Sequence, residues 1–301
     1  MADTQTRPTN SGTQLHQRTA TIDGLKVFYR EGGSPQAPTL VLLPGFPAAS
    51  YQYVPLMRRL APTVHVISPD YPGFGYSDSP ASSTTGGSFH YTFDHLADIT
   101  EKLLQTIGAT RFFVYMFDFG APVGFRLALR HPEWIRGVIA QNGNAYKEGL
   151  GPNMQPLNAY WANRAAVENQ VRGVLSFAAT RAAHLEGVRD STAIDPDMWT
   201  LDQHWLDQPG RDQAMLDLLY DYRTNVDAYP AWQAWLREHR PPVLLPWGSN
   251  DGYFPAAGAL AYLKDVPDAE LHLLDTGHFA LDDHLDDIAT LTADFIARHA
   301  G

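Results

Sequence analysis

Residues 111–133 read RFFVYMFDFGAPVGFRLALRHPE. An apolar, β-type run ends at Asp118, and apolar residues with helical spacing begin after Gly120 and Pro122. We therefore predict a strand, a sharp turn and a helix. A nucleophile elbow has this layout and presents its reactive side chain at the top of a parallel sheet, with a small residue two positions later. Gly120 is that small residue, and Asp118 occupies the position of the nucleophile.

The residue type at position 118 restricts the reaction class. Serine at this position is typical of esterases and lipases. A carboxylate instead attacks saturated carbon, by opening an epoxide or by displacing a halide, and forms an alkyl ester with the enzyme. Asp118 is therefore the candidate nucleophile.

The composition restricts the class of protein. The chain has 301 residues, of which 44% are hydrophobic and 18% charged, and no apolar run approaches the roughly 18 residues that a membrane span needs. Acidic residues outnumber basic ones 33 to 22, giving a formal charge of −11, which disfavours nucleic acid and anionic membranes as partners. The absence of cysteine excludes disulfides and thiolate chemistry. We expect a cytoplasmic enzyme, a monomer or homodimer, that acts on a small neutral substrate.

Strand-like and helix-like runs alternate along the chain, which predicts a mostly parallel sheet covered by helices. The first two strands should form an antiparallel edge. The predicted strands are 16–23, 25–31, 39–43, 64–68, 111–117, 136–141, 242–247 and 270–274, and the predicted helices are 51–60, 93–107, 122–130, 256–263 and 284–299.

The strand pattern disappears between residues 145 and 238, where Trp- and Tyr-rich helical segments replace it. This change predicts a helical cap, residues 145–238, inserted into a core formed by residues 16–144 and 239–301. Residues 1–15 are polar and are predicted to be disordered.

Two loops are predicted to meet the elbow at the top of the sheet. The turn Pro44-Gly45-Phe46-Pro47 closes the third strand, so the backbone N–H groups of Phe46 and Phe119 can converge as an oxyanion hole. His278, directly after the last strand, is the candidate general base, and Asp251, after the preceding strand, is the candidate orienting acid. Their chain order is nucleophile, acid, base.

Taken together, these segments resemble the α/β-hydrolase superfamily, in particular its epoxide hydrolase and haloalkane dehalogenase branch. The resemblance spans residues 20–299 and is carried by PGFP, DYPGFGYS, FDFGAP, GSND and GHF at successive strand ends. It implies an α/β-hydrolase fold with eight strands, an Asp118–His278–Asp251 triad, and no cofactor or metal. Glu148, after the sixth strand, is the alternative acid.

The resemblance also implies that cap residues hold the oxygen of an opening epoxide. Tyr222 resembles one of the two tyrosines that epoxide hydrolases use. Tyr160 and Trp161 are adjacent candidates for the other, and only one of two neighbours on a helix can face the site. Pro47, Phe46, Phe119 and Trp161 are expected to contact substrate, and the aromatic cap indicates an apolar or aromatic one.

Three departures from the family pattern bear on function. Pro44 replaces the usual histidine of the oxyanion loop, so that this loop must be held in another way. Phe119 replaces a tryptophan that donates to the halide in many haloalkane dehalogenases, and phenylalanine has no donor. Met116 stands where a small residue is usual. The predicted activity is hydrolysis of an epoxide to a diol. The alternatives are haloalkane dehalogenation by the same triad, and a ligand-binding or cyclase-like protein without hydrolytic turnover.

Overall fold

A computed structural model describes residues 14–301 of the chain. Its sheet has eight strands in the order β1-β2-β4-β3-β5-β6-β7-β8, with β1 and β2 antiparallel at one edge, β2 antiparallel to β4, and all other pairs parallel. The predicted α/β-hydrolase fold is confirmed. The strands are β1 (Leu15–Ile22), β2 (Leu25–Gly32), β3 (Thr39–Leu43), β4 (His65–Pro69), β5 (Phe112–Phe117), β6 (Ile135–Gln141), β7 (Val243–Gly248) and β8 (Glu270–Leu274).

Strand β5 lies at the centre of the sheet, between β3 and β6. All six of its residues are buried, because a central parallel strand is covered on both faces. This explains why the sequence before Asp118 is continuously apolar instead of alternating.

Five helices pack on the sheet: α1 (Val54–Leu60), α2 (Phe93–Thr106), α3 (Gly120–Arg130), α9 (Ala256–Tyr262) and α10 (Leu285–His299). Thr92 directly precedes helix α2, and its side-chain oxygen accepts from the His95 backbone N–H and satisfies one of the free donors of the first turn. Helix α1 packs against α10, and α2 against α3.

The chain between β6 and β7, residues 142–242, contains five α-helices and no strand. We call this segment the helical insertion. Its helices are α4 (Gln155–Ala162), α5 (Arg164–Val171), α6 (Phe177–Leu185), α7 (Pro196–Leu206) and α8 (Arg211–His239). The predicted cap boundaries at 145 and 238 fall inside it, and its function as a cap stays a prediction. Most of the segment predicted to be disordered, up to residue 13, lies outside the described residues.

None of the helices within residues 14–301 is both long and apolar enough to cross a membrane.

Candidate active site

Asp118 lies on a sharp turn between β5 and α3. Its φ of 47° is in the left-handed region, where aspartate is found more often than most residues other than glycine. The turn also brings the chain close to β3, since a Cβ at Gly120 would lie 2.1 Å from the Leu43 carbonyl oxygen. Only glycine fits there. The structure thus has the strand, turn and helix predicted for the elbow.

The carboxylate of Asp118 faces the loop after β3. The Phe46 backbone N–H donates to its Oδ1 at 2.6 Å, and the Phe119 N–H lies near enough to this carboxylate to lower its pKa. Burial raises the pKa of Asp118, while the charge of His278 and these two N–H donors oppose the rise. The two donors predicted to form an oxyanion hole are therefore brought together on one side of Asp118.

His278 lies on the other side of the carboxylate. Its Nε2 is 3.7 Å from Asp118 Oδ2, and its Nδ1 is 2.8 Å from Asp251 Oδ2. All three side chains are buried. Burial alone would lower the pKa of His278, but the charges of Asp251 and Asp118 and the bond to Asp251 outweigh it and raise the pKa. Asp251 thus holds one ring nitrogen while the other faces the candidate nucleophile.

Asp251 is itself fixed by groups that sequence reasoning did not identify. Asn142 Nδ2 donates to Asp251 Oδ2 at 2.8 Å, and the Tyr253 N–H donates to Oδ1 at 2.7 Å. Asn142 Oδ1 accepts from the Gly248 N–H at 2.9 Å, which ties the ends of β6 and β7 together. The signal in the sequence was the Asn-Gly-Asn turn directly after the sixth strand.

The alternative acid, Glu148, lies elsewhere. It is exposed and bonds to Lys264 Nζ at 2.5 Å. Because a carboxylate must contact the imidazole to orient it, the structure excludes Glu148 and brings Asp251 to His278.

A largely apolar cavity of about 70 Å³ opens above Asp118 and His278. It extends beneath the helical insertion. Its apolar lining residues are Phe46, Pro47, Phe119, Met154, Pro156, Leu157, Val171, Val174, Ala179, Ala183 and Leu219, and its polar ones besides Asp118 and His278 are Asn153, Thr180 and Tyr253. Phe46, Pro47 and Phe119 therefore lie where substrate contact was predicted.

Neither candidate for the first cap position faces this cavity. The Tyr160 hydroxyl donates to the Leu216 carbonyl at 3.1 Å, and the Trp161 indole N–H donates to the Leu219 carbonyl at 2.9 Å. Both side chains bind the backbone of α8 within the helical insertion, and neither lines the cavity. Their polar atoms satisfy buried carbonyls, so this geometry does not support the expectation that one of them reaches the substrate, which stays a prediction.

Tyr222 does not line the cavity either, but its ring packs against Phe119, the residue next to the candidate nucleophile. Its ring is fully buried between Phe119 and Trp161, with ring centroids 6.1 Å from each. Its hydroxyl is 3.3 Å from that of Tyr229, which Asn144 Nδ2 approaches at 3.2 Å. Burial is the largest cause that raises the pKa of Tyr222, and the neighbouring Tyr229 and the charge of Asp118 raise it further. The hydroxyl of Tyr222 therefore stays protonated.

The structure explains how the oxyanion loop is held without a histidine at position 44. The Tyr53 hydroxyl donates to the Leu43 carbonyl at 2.9 Å, directly before Pro44. Gly45 then passes so close to the elbow that a Cβ there would lie 2.4 Å from Asp118 Cβ. A hydroxyl from the following helical turn and one close backbone contact fix the loop.

This sheet order, with an elbow after the central strand and the candidate nucleophile, acid and base after β5, β7 and β8, defines the class as an α/β hydrolase. A family model described as "alpha/beta hydrolase fold" matches residues 38–285, so the chain belongs to that family. It is 40% identical to "Uncharacterized hydrolase YNR064C" of Saccharomyces cerevisiae over 272 residues, which cover 89% of this chain and 92% of that protein.

Two further similarities show how widely this fold is used. The chain is 30% identical to a haloalkane dehalogenase of Bradyrhizobium diazoefficiens over 125 residues, 42% of this chain and 38% of that protein. Its structure resembles that of a putative lipase from Acinetobacter baumannii with a TM-score of 0.79 and 16% identity, covering 96% and 93% of the two chains. At that identity the similarity establishes the fold alone, and the chemistry has to be inferred from the site.

Proposed function

We propose that this hydrolase is an epoxide hydrolase that works through an ester of Asp118. The arrangement of the Asp118 carboxylate is the observation that carries the proposal. One oxygen accepts from the Phe46 N–H at 2.6 Å, and the other lies 3.7 Å from His278 Nε2. An aspartate held in this way has one oxygen in the oxyanion hole and one free to attack carbon.

In the first step, Asp118 Oδ2 attacks an epoxide carbon and the carbon–oxygen bond of the ring breaks. The departing oxygen takes a proton from the Tyr222 hydroxyl, which Tyr229 orients. The product is a hydroxyalkyl ester of Asp118. The position of Tyr222 beside Phe119, and its protonated state, support this role.

In the second step, His278 takes a proton from water, and the resulting hydroxide attacks the ester carbonyl of Asp118. The Phe46 and Phe119 N–H groups stabilise the oxyanion. The ester bond then breaks and the diol oxygen takes the proton from His278. The second proton of the water passes from the Asp118 carboxyl to the Tyr222 phenolate, which regenerates both groups. Asp251 stabilises the imidazolium between these transfers.

The apolar lining of the cavity supports a small, neutral, apolar substrate. Most of its side chains offer no hydrogen bond, so a charged substrate would lose its hydration without compensation. Apart from Asp118 and His278, three polar side chains line the cavity, Asn153, Thr180 and Tyr253.

Haloalkane dehalogenation by the same triad is the second candidate, and the relative from Bradyrhizobium diazoefficiens supports it. The donors for a leaving halide argue against it. Phe119 has none, and the Trp161 indole N–H already binds the Leu219 carbonyl. Tyr222 remains as a hydroxyl donor, which suits an epoxide oxygen that needs a proton better than a halide that leaves as an anion.

The test is to trap the ester. His278→Gln removes the base and leaves Asp118 and Tyr222 in place, so ester formation should continue and hydrolysis should stop. The variant is mixed separately with alkyl epoxides, aryl epoxides and haloalkanes, and is then examined by intact-protein mass spectrometry and peptide mapping. We expect a mass gain equal to a whole epoxide, located on Asp118.

Asp118→Asn combined with His278→Gln is the matched control and should gain no mass. An alkyl adduct formed with release of halide would instead identify the reaction as haloalkane dehalogenation. If no member of the panel forms an adduct, the proposal is wrong, and a ligand-binding role becomes the better explanation.

A further inference from the structure

A second group of buried ionisable residues joins the helical insertion to the loop after β8. His184, on α6, lies between two carboxylates: its Nε2 is 2.8 Å from Asp202 Oδ2 on α7, and its Nδ1 is 2.7 Å from Asp282 Oδ2. Residues 275–284 connect β8 to α10 and carry His278, and we call them the base loop. We call His184, Asp202 and Asp282 the His184 cluster.

The geometry favours a positively charged His184. A neutral imidazole has one N–H and could donate to only one carboxylate. Here both ring nitrogens lie at hydrogen-bond distance from carboxylate oxygens, and a ring with both protons satisfies both of these carboxylates. The other oxygen of Asp202 accepts from the Tyr51 hydroxyl. Burial alone would lower the pKa of His184, but the bonds to Asp202 and Asp282 raise it to about 9.

The cluster contacts the base loop at two points. Asp282 belongs to that loop, and Phe279 stacks on the His184 ring with centroids 3.9 Å apart and an interplanar angle of 13°. Phe279 in turn packs edge-on against His278, with centroids 5.1 Å apart. His184 is thus one aromatic ring away from the candidate base.

The remaining groups around His184 are few. Trp199 of α7 packs against it with centroids 6.1 Å apart. Asp283, beside Asp282, bonds to Thr276 at 2.8 Å, and its charge reaches Asp282. The positive charge of His184 acts on His278 and lowers its pKa, against the larger effect of Asp251.

We infer that His184 is a positioning residue, whose imidazolium, held between Asp202 of the helical insertion and Asp282 of the base loop, fixes the insertion over the cavity and holds His278 opposite Asp118. The cluster itself is independent of the reaction, but the catalytic part of this inference rests on the proposed function. Removing one partner of a buried ionic group leaves the others uncompensated, which loosens both segments.

The first test uses readouts that do not need a substrate. In His184→Gln we expect faster amide hydrogen exchange in α6, α7 and the base loop. We also expect a higher pKa for His278 in the NMR titration of its ring, because a nearby positive charge is removed. His204→Gln, an exposed histidine on α7, is the matched control and should change neither. Unchanged exchange in the base loop would overturn the inference.

The pH dependence of stability tests the charge. The pKa of His184 is raised on folding, so its contribution is complete below the unfolded value of about 6.5 and is lost as pH rises through about 9. The Tm of the wild type should therefore fall more steeply between pH 7 and 10 than that of His184→Gln. If that variant does not fold, Asp282→Asn, which keeps an acceptor oxygen but no charge, provides the comparison. Parallel curves would contradict the inference.

Single-turnover kinetics separate positioning from a purely structural role. In His184→Gln, hydrolysis of the Asp118 ester should slow by about tenfold or more, as for loss of about 1.4 kcal/mol of transition-state stabilisation, while ester formation keeps its rate. Equal rates of ester hydrolysis in the variant and the wild type would show that the His184 cluster has a structural role alone, and would refute the positioning role. If no ester forms in any variant, the proposed function fails, and the exchange and NMR results still decide on the cluster.

Discussion

Met116 packs directly against Gly124, one turn into the helix that follows the nucleophile. A Cβ at position 124 would lie 2.3 Å from Met116 Sδ and 2.8 Å from its Cγ. The long side chain of Met116 can therefore pack behind the elbow, because the facing residue of the helix, Gly124, has no side chain. This contact accounts for the methionine at a position where a small residue is usual.

Gly124→Ala should destabilise the protein, because the new methyl group overlaps a buried methionine. Overpacking of this kind costs about 1–3 kcal/mol, and roughly 2–4 °C in Tm per kcal/mol is usual for chains of 150–250 residues, with less for longer ones. Thermal unfolding measures this loss of stability. Adding Met116→Ala to Gly124→Ala removes the overlap but leaves a cavity, so the double variant should lose less stability than the sum of the two single losses. Gly173→Ala, where no atom lies within 4 Å of the new Cβ, should have little effect. A Gly124→Ala variant as stable as the wild type would contradict this reading of the elbow.

Asn142→Gly should weaken the orientation of Asp251 without straining the backbone. Asn142 has a φ of 44°, which glycine adopts freely, so the variant removes only the side chain. Loss of its bonds to Asp251 and Gly248 should cost about 1–3 kcal/mol, and hydrolysis of the Asp118 ester should slow by roughly tenfold or more. Single-turnover kinetics measure this step, and an unchanged rate would show that His278 and the Tyr253 N–H orient Asp251 sufficiently.

The variants Asp251→Asn and Glu148→Gln test which of the two carboxylates orients His278. We expect the first to abolish ester hydrolysis, because an amide cannot stabilise the imidazolium of His278 as a carboxylate does. The second should leave the rate within about twofold, since an exposed ion pair such as that with Lys264 contributes little. A large effect of Glu148→Gln on ester hydrolysis would be incompatible with the site described.

Tyr222→Phe should slow ring opening and leave ester hydrolysis intact. A positioned proton donor contributes about 10²–10⁴-fold to a rate, and this loss should appear in ester formation measured in the His278→Gln background. Tyr229→Phe should have a smaller effect of the same kind, because Tyr229 orients the hydroxyl of Tyr222. Undiminished ester formation in Tyr222→Phe would assign the proton donor to another group, with Tyr253 of the cavity wall as the next candidate.

Ester hydrolysis should depend on pH through His278, which has to be neutral to accept a proton from water. Asp251 and Asp118 together raise the pKa of His278 in the free enzyme, so the neutral form is lost as pH falls through a value above the usual 6.5 or so. The ester removes the charge of Asp118, and the hydrolysis step should therefore titrate at lower pH than the free enzyme. Single-turnover rates across pH, compared with an NMR titration of the free enzyme, check the sign. A hydrolysis step that titrates at higher pH would contradict it.

The sequence by itself determined the fold and the candidate reacting side chains. Each limit of the eight strands lies within one residue of its predicted position, because apolar runs and turn residues mark strand ends locally. Asp118, Asp251 and His278 could be found because parallel strands bring their carboxyl ends to one edge, so position along the chain specifies position in space. The choice between Asp251 and Glu148 followed the same rule.

Only the tertiary structure decided which side-chain polar atoms already have hydrogen-bond partners within the protein. Tyr160 and Trp161 bind carbonyls of α8 instead of the cavity, and no local pattern reveals a partner more than fifty positions away. Asn142, Tyr229 and Gly124 gained their roles in the same way, through contacts made on folding. The His184 cluster shows this most clearly, because its three members are spread over residues 184–282 and become one charged group only where the helical insertion meets the base loop.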